Sequence, residues 1–264
     1  MMPTGSCCPV KMNVLLSTTY FGPIQWYQKL FRADEVWIER HETFQKQTYR
    51  NRCVIATTQG TQALTVPVER ISTSTLRSTT GRSQGENTQH STLNPQHSTL
   101  KDLRISDHGN WRHLHWNALR SAYGDSPFFM YYEDDIRPFF EQRWDYLFDF
   151  NEAIREKMCE LLDIQPNVRY TEMGIRRQGV QGVQGVQDIT RNRRTIVLNS
   201  LNSLSPCLPI IDFRDAINPK HPGEDPDFEP RRYYQVYEAK HGFQPNLSIV
   251  DLLFNMGPEA IFYL

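Results

Sequence analysis

The sequence lacks several features that would assign it to a class directly. Its 264 residues include five cysteines, an odd number without a C-x-x-C pair, which argues against a disulfide framework and a zinc ribbon. It has no H-E-x-x-H motif, no apolar run near the ~20 residues of a membrane-spanning helix and no signal-peptide pattern at its start. We therefore expect a cytoplasmic protein without a membrane span, a metal or another cofactor.

The chain also has no large excess of charge of either sign. The chain carries 29 Lys and Arg against 30 Asp and Glu, a net charge of −1, with 12% aromatic residues. This balance excludes the broad cationic field that drives non-specific nucleic-acid binding. The sequence contains no recognised nucleic-acid module, so no nucleic-acid partner is expected. The composition is that of an ordinary globular protein, in which a local basic patch can still bind an anion.

The pattern of apolar residues predicts the fold class. Residues 12–16 form a short apolar run, Pro23 suits the first turn of a helix that continues to Phe31, and residues 35–39 form a second strand. Strand, helix and strand within about 30 residues are typical of a βαβ unit with parallel strands. We therefore predict an α/β fold with a mixed sheet built on an N-terminal βαβ unit.

Further elements should complete this fold. Residues 49–57 and 62–68 are strand candidates separated by a four-residue loop, and this spacing predicts an antiparallel β-hairpin. Several helices should cover the sheet, and the longest should show a break near Asn151. The predicted helices are 110–123, 135–162, 232–240 and 247–263, and the weaker strand candidates are 168–173 and 195–198.

Two segments of low complexity interrupt the predicted domain. Residues 72–100 contain 13 Ser and Thr and repeat the motif Gln-His-Ser-Thr-Leu, and the motif Gly-Val-Gln occurs three times within residues 178–188. Such segments bury too little apolar surface to offset the entropy of ordering. We predict a disordered extension at residues 1–11 and a single α/β domain over 12–264, with insertions at about 72–100 and 178–188.

A cluster of cations lies at the start of the predicted hairpin. If this segment is extended, Lys46, Arg50 and Arg52 project to one side, while Tyr49 and Asn51 project to the other. Three cations on one strand face suit a phosphate, diphosphate or carboxylate, and Arg adds bidentate geometry. All five are candidate substrate-binding residues at an anion-binding site. The alternative is a solvated face, or ion pairs with distant carboxylates.

A histidine on the predicted helix 110–123 is the candidate proton carrier. His115 lies one turn after Trp111 and faces the apolar stripe, where a partly buried imidazole should titrate near neutral pH. The alternative is a satisfied core histidine. Asp107, which precedes the helix, completes the candidate catalytic pair.

The same helix has a second face that is cationic and aromatic. It carries Arg112, Trp116, Arg120 and Tyr123, which could stack on a ring or simply cover the sheet. Arg120 is a candidate substrate-binding residue on this face.

The junction after the first strand is a further candidate site. Tyr20 and Gln25 lie where a strand ends and a helix begins, and open α/β sheets bind ligands at such carboxyl ends. Both are candidate substrate-binding residues. The G-x-G-x-x-G, P-loop and G-x-S-x-G motifs are absent. The Pro-punctuated segment 211–222, with its charged residues, could close over a site or be a solvated loop.

Several motifs together resemble the WbqC-like protein family of bacteria. The resemblance covers nearly the whole chain apart from the N-terminal extension and the two insertions. Its motifs are Tyr20-Phe21-Gly22-Pro23-Ile24-Gln25-Trp26-Tyr27, Tyr49-Arg50-Asn51-Arg52, Leu64-Thr65-Val66-Pro67-Val68, Trp111-Arg112 with His115-Trp116, Ser126-Pro127-Phe128-Phe129 and Pro245-Asn246-Leu247-Ser248.

The resemblance implies a role in surface-polysaccharide (O-antigen) biosynthesis, without specifying a reaction. Within that pathway, the cationic strand face and the histidine of the predicted helix lead us to the hypothesis of a cytoplasmic transferase. It would add an acyl or aminoacyl group to an activated amino sugar, with a phosphorylated or nucleotide-linked sugar as its small-molecule substrate. Lys46, Arg50 and Arg52 would then hold the anion, His115 would carry the proton, and Tyr20 with Asn51 would orient the substrate. The alternatives are a non-catalytic sugar-nucleotide-binding or assembly protein and, less favoured, a zinc-dependent hydrolase.

Overall fold

A computed structural model of the chain describes residues 12–69, 99–175, 195–196 and 210–264. The predicted N-terminal extension, the insertion at 178–188 and nearly all of the insertion at 72–100 lie outside these ranges. The predicted domain boundaries therefore stay predictions. In the described part, no helix combines the length and apolar character needed to cross a membrane.

The main sheet has five strands, of which four are parallel. The strands are β1 (Asn13–Ser17), β2 (Glu35–Glu39), β5 (Val168–Tyr170), β6 (Thr195–Ile196) and β7 (Ile210–Asp212). Their spatial order is β5-β2-β1-β7-β6, and only β6 pairs in the antiparallel direction. The central strand β1 is apolar because both of its faces are covered by protein. The predicted mixed α/β sheet is thus confirmed.

Helix α1 (Ile24–Arg32) connects β1 to its parallel neighbour β2, so the predicted βαβ unit is also confirmed. From β1 the chain first moves towards β2 and β5, and it later returns to the opposite side, where β7 pairs with β1. The direction in which successive strands are added to the sheet thus reverses between β1 and β7, although the two strands are parallel. In open α/β sheets, such a switch point is where ligands bind, at the carboxyl ends of the strands.

The predicted hairpin forms between β3 (Arg52–Thr57) and β4 (Gly60–Thr65), with Arg52 opposite Thr65. Its loop is shorter than expected, because only two residues separate the strands. The first strand also begins three residues later than predicted. Residues 44–51 fold as turns, with Gln47 at a φ of 62° and the Thr48 hydroxyl bonded to the Gln45 carbonyl oxygen. The predicted cationic strand face is therefore wrong.

The helices differ from the predicted ones in where they begin and end. The helices after α1 are α2 (Trp111–Tyr123), α3 (Phe129–Ile136), α4 (Pro138–Glu141), α5 (Leu147–Leu161), α6 (Glu238–His241) and α7 (Ile249–Met256). The long helix predicted over 135–162 is interrupted at 142–146, before Asn151. There the backbone pairs with the segment around residues 103–105. The Ile105 amide donates to the Asp145 carbonyl oxygen, and the Leu147 amide donates to the Leu103 carbonyl oxygen. Tertiary pairing therefore outweighs helix periodicity.

The C-terminal region is less helical than its sequence suggests. Only Glu238–His241 is helical within the predicted helix 232–240. Helix α7 ends at Met256, and a 3-10 helix continues over Gly257–Tyr263. The change occurs at Gly257, whose φ of 56° an α-helix does not accommodate.

An aromatic core joins the β1–α1 turn to helices α2, α4 and α5. The Tyr20 ring stacks on Phe150 at 5.7 Å, and the neighbouring Phe21 ring stacks on Phe140 at 6.1 Å. Phe21 has a φ of 39°, a strained value for a residue with a side chain. Packing on both sides of the turn holds this backbone in place, so the turn that ends at α1 has a defined shape.

Candidate functional site

A small cavity lies at the switch point between β1 and β7, and we call it the β1 cavity. Its volume is about 10 Å³, room for about one water molecule. Thr18, Thr19 and Arg50 line it from one side, and Phe213 and Arg214 line it from the other. Among the described residues, the buried Thr19 hydroxyl has no hydrogen-bond partner. The segment after β7 therefore does close over the carboxyl end of β1.

Two buried ion pairs, each formed by an arginine that lines the cavity, lie beside the β1 cavity. The guanidinium of Arg50 donates two hydrogen bonds to the Glu42 carboxylate, from Nε at 2.8 Å and from Nη2 at 2.6 Å. Nη2 also donates to the Ser17 hydroxyl. Arg214 donates to the Asp212 carboxylate in the same way, from Nε at 2.9 Å and from Nη2 at 2.8 Å. Both arginine side chains are at most 3% exposed. Their charge is therefore already neutralised by the protein itself.

The predicted residue Gln25 holds the segment after β7 against α1. Its side-chain amide donates to Asp225 at 2.8 Å and accepts from Asn246 at 3.0 Å. Asp225 also pairs with Lys29 at 2.7 Å, and both of these side chains are buried. Gln25 is thus placed between protein groups in this structure.

The predicted residues Tyr20, Tyr49 and His115 do come together. The Tyr20 hydroxyl and His115 Nδ1 share a hydrogen bond of 2.9 Å, and the Tyr20 amide donates to the Tyr49 carbonyl oxygen. Burial lowers the pKa of His115 to about 4, against a smaller opposing effect of its hydrogen bond to the Thr65 carbonyl. Burial also raises the pKa of Tyr20 well above its ordinary value and that of Tyr49 to about 12.

The expected titration of His115 near neutral pH is therefore wrong. The ring is 6% exposed and lies against Trp111 at 5.2 Å and Tyr20 at 5.8 Å. The spacing did place the histidine on the apolar face of α2 correctly. That face excludes water, which favours the uncharged imidazole.

Two other predicted anion ligands lie apart from this cluster. Lys46 is exposed in the turn before the hairpin, and Arg52 donates to the Thr65 hydroxyl at 3.2 Å on the hairpin edge. Asn51 is buried and donates to the Val66 carbonyl oxygen at 2.8 Å. The structure therefore separates the side chains that the predicted strand face was to bring together.

A larger space than the β1 cavity lies on the opposite side of α2, and we call it the α2 groove. Its volume is about 410 Å³, within the range of small-molecule sites. Arg112, Trp116 and Arg120 line it from α2, while Arg137 and Phe140 line it from the region of α4. Three arginines and one glutamate line the groove, and two further carboxylates lie within 4 Å of these arginines.

The cations of the α2 groove differ in how firmly they are paired. The Arg120 side chain is 60% exposed, and its nearest carboxylate, Glu133, is 3.8 Å away. Arg137 is 52% exposed and pairs with Glu141 at 2.5 Å within one helical turn. Trp116 is half-buried, with its ring 5.7 Å from Phe140. An anion with an attached ring matches both parts of this surface.

The predicted catalytic residue Asp107 is paired with an arginine of this groove. It pairs with Arg112 at 2.7 Å and with Arg143 at 3.0 Å. The hydrogen bond from Arg112 lowers the pKa of Asp107, so the carboxylate stays ionised at neutral pH. Asp107 thus contacts surface arginines, whereas His115 points into the core on the other side of α2.

Sequence reasoning missed several residues of both sites. Glu42 is the partner of Arg50, and only the folded turn over 44–51 brings the two together. Arg137 and Phe140 line the α2 groove from the one-residue junction between α3 and α4 and from α4 itself, near the start of the predicted helix 135–162. The signal that was available is Pro138, which cannot donate a helical hydrogen bond. In the described part of the chain, no cluster of His, Cys, Asp and Glu could hold a metal ion.

These features define the chain as an α/β protein with an internally paired polar cluster at the switch point and an open cationic-aromatic groove. The chain belongs to the WbqC-like protein family, whose profile matches residues 18–94 and 83–263. The resemblance seen in the sequence is therefore confirmed. No curated protein and no solved structure gives a match.

Proposed function

We propose that this WbqC-like protein binds a nucleotide-linked sugar in the α2 groove and serves surface-polysaccharide biosynthesis in the cytoplasm. The observation that carries the proposal is the groove itself, whose lining combines Arg112, Arg120 and Arg137 with the half-buried Trp116. A nucleotide-linked sugar combines two negatively charged phosphoryl groups with an aromatic base. The arginine side chains of the groove and its aromatic wall match these two parts.

The geometry favours binding over the predicted acyl or aminoacyl transfer. A general acid or base must reach the proton that it moves, either directly or through one water. His115 is buried between aromatic rings and uncharged at neutral pH, and it lies on the face of α2 opposite the groove. Asp107 is engaged by two arginines. We therefore favour the sugar-nucleotide-binding alternative.

Calorimetric titration with a panel of nucleotide sugars tests this function. We expect at least one of them to bind, with Arg120→Ala and Trp116→Ala each weakening the affinity by about tenfold, because each removes one charge-assisted or stacking contact. Matched controls come from the other side of the molecule. Arg169 is an exposed arginine over the Trp37 ring, at 5.8 Å, so Arg169→Ala and Trp37→Ala should leave the affinity unchanged.

Two results would contradict the proposal. One is that no nucleotide sugar binds the wild-type chain. The other is that the groove variants bind as tightly as the wild type, or that the control variants lose as much affinity as they do. Thermal unfolding of every variant should accompany the titration, because Trp116 also packs against Phe129 at 6.1 Å.

A further inference from the structure

The segment that follows β7 is bound to the sheet at its first end. The Phe213 amide donates to the Leu15 carbonyl oxygen at 3.0 Å, which continues the pairing of β7 with β1. The next side chain, Arg214, donates to Asp212 and is fully buried. The chain therefore leaves the carboxyl end of β7 in a fixed direction.

The second end of this segment is bound to helix α1. Asp225 accepts hydrogen bonds from Lys29 at 2.7 Å and from Gln25 at 2.8 Å, and its side chain is buried. The Lys29 ammonium also lies over the Phe213 ring, 4.5 Å from its centre. One buried lysine thus contacts both ends of the segment, as expected for a compact surface loop whose ends lie close together.

Between these ends the backbone of the segment bonds to the segment itself. The Gly223 amide donates to the Ala216 carbonyl oxygen, and the Ile217 amide donates to that of Phe213 at the first end. Residues 220–224 are exposed, whereas Ile217 is buried and lines the β1 cavity. An exposed stretch whose backbone does not bond to neighbouring elements can open at a lower free energy than the whole fold.

We propose that residues 215–225 form a lid over the β1 cavity, which is hinged at Arg214 and held shut by the Lys29–Asp225 pair. Ile217 is the side chain that the lid places at the cavity. Opening the lid gives a ligand access to the carboxyl end of β1, the position at which open α/β sheets bind ligands. This inference does not depend on the proposed function, because the lid lies away from the α2 groove.

Iodoacetamide labelling of a thiol placed under the lid tests the inference on the full chain. Thr19 lines the β1 cavity, and its hydroxyl has no partner among the described residues, so Thr19→Cys removes no hydrogen bond described there. Cys53 is buried in β3 and reports global unfolding in the same molecule. We expect position 19 to react about tenfold faster than Cys53 or more. Low concentrations of urea should accelerate only Cys53, because lid opening exposes little surface.

Asp225→Ala, combined with the reporter, removes the carboxylate that Lys29 contacts when the lid is shut. We expect labelling at position 19 to become about 100-fold faster, because breaking a buried ion pair is costly. Gln25→Leu removes one hydrogen bond to Asp225 and should accelerate it by about tenfold. This second variant keeps the inference testable if Asp225→Ala does not fold.

The matched control is Ile136→Val, which destabilises the core at a buried position of α3. It should accelerate the labelling of Cys53 and leave position 19 unchanged. The inference is overturned if position 19 and Cys53 react at equal rates with the same urea dependence, since the segment would then open only when the whole chain unfolds. It is also overturned if the Asp225 and Gln25 variants accelerate position 19 no more than the control does.

Discussion

The β1 cavity and the α2 groove use the same residue types in opposite ways. At the β1 cavity, the guanidinium of Arg50 is buried and both of its carboxylate contacts come from Glu42. In the α2 groove, Arg120 is mostly exposed and the carboxylate of Glu133 is 3.8 Å away. The comparison teaches that a cluster of cations in a sequence does not reveal which of them are available to a ligand.

The difference has an energetic side. A buried ion pair stabilises a fold mainly because either partner alone would be an uncompensated charge. An exposed arginine contributes little to stability, since water already solvates it. Mutations beside the β1 cavity should therefore lower the free energy of unfolding, whereas mutations in the α2 groove should weaken ligand binding.

The largest expected effect is on the buried pair. Glu42→Ala leaves Arg50 buried without its carboxylate, so we expect the free energy of unfolding to fall by about 3–5 kcal/mol. Urea unfolding at neutral pH measures this change. The control is Glu35→Ala, which removes the partner of the exposed Arg169 and should cost less than about 1 kcal/mol. Equal losses in the two variants would contradict the comparison.

The sequence predicts the elements that depend on local pattern. The apolar run of β1, the helix after Pro23 and the spacing that turns His115 inward all follow from neighbouring residues, and the structure shows each of them. The turn over 44–51 does not follow, because it is held by the pairing of Arg50 with Glu42. The α2 groove does not follow either, because residues of α4 join residues of α2 there through tertiary packing, which periodicity alone does not reveal.

The second largest effect is on the pH dependence of stability, and it involves two buried groups. The pKa of His115 is lowered to about 4, so the unfolded chain binds its proton more tightly, and stability is lost as the pH falls from about 6.5 towards 4. The pKa of Asp251 is raised to about 6, chiefly by burial, against hydrogen bonds from Tyr233 and Tyr123. The native state binds that proton more tightly, so stability is lost as the pH rises from about 4 to 6.

These two effects oppose each other in the wild type, which the variant Asp251→Asn separates. We expect its free energy of unfolding to rise from pH 4 to 6.5 by on the order of 3 kcal/mol more than that of the wild type, because the Asp251 contribution is gone. Urea unfolding at several pH values gives both curves. Parallel curves for the two proteins would show that Asp251 does not titrate in this range.

The smallest effect on stability is expected in the α2 groove. Arg137 and Glu141 form an exposed pair one helical turn apart, with side chains 52% and 57% exposed. Such pairs contribute about 0.3–0.5 kcal/mol, so Arg137→Ala should change the free energy of unfolding by no more than that. The same variant should weaken the affinity for a nucleotide sugar several-fold, because Arg137 lines the groove. A stability loss above about 1 kcal/mol with unchanged affinity would place Arg137 with the buried, internally paired arginines and remove the distinction between the two regions.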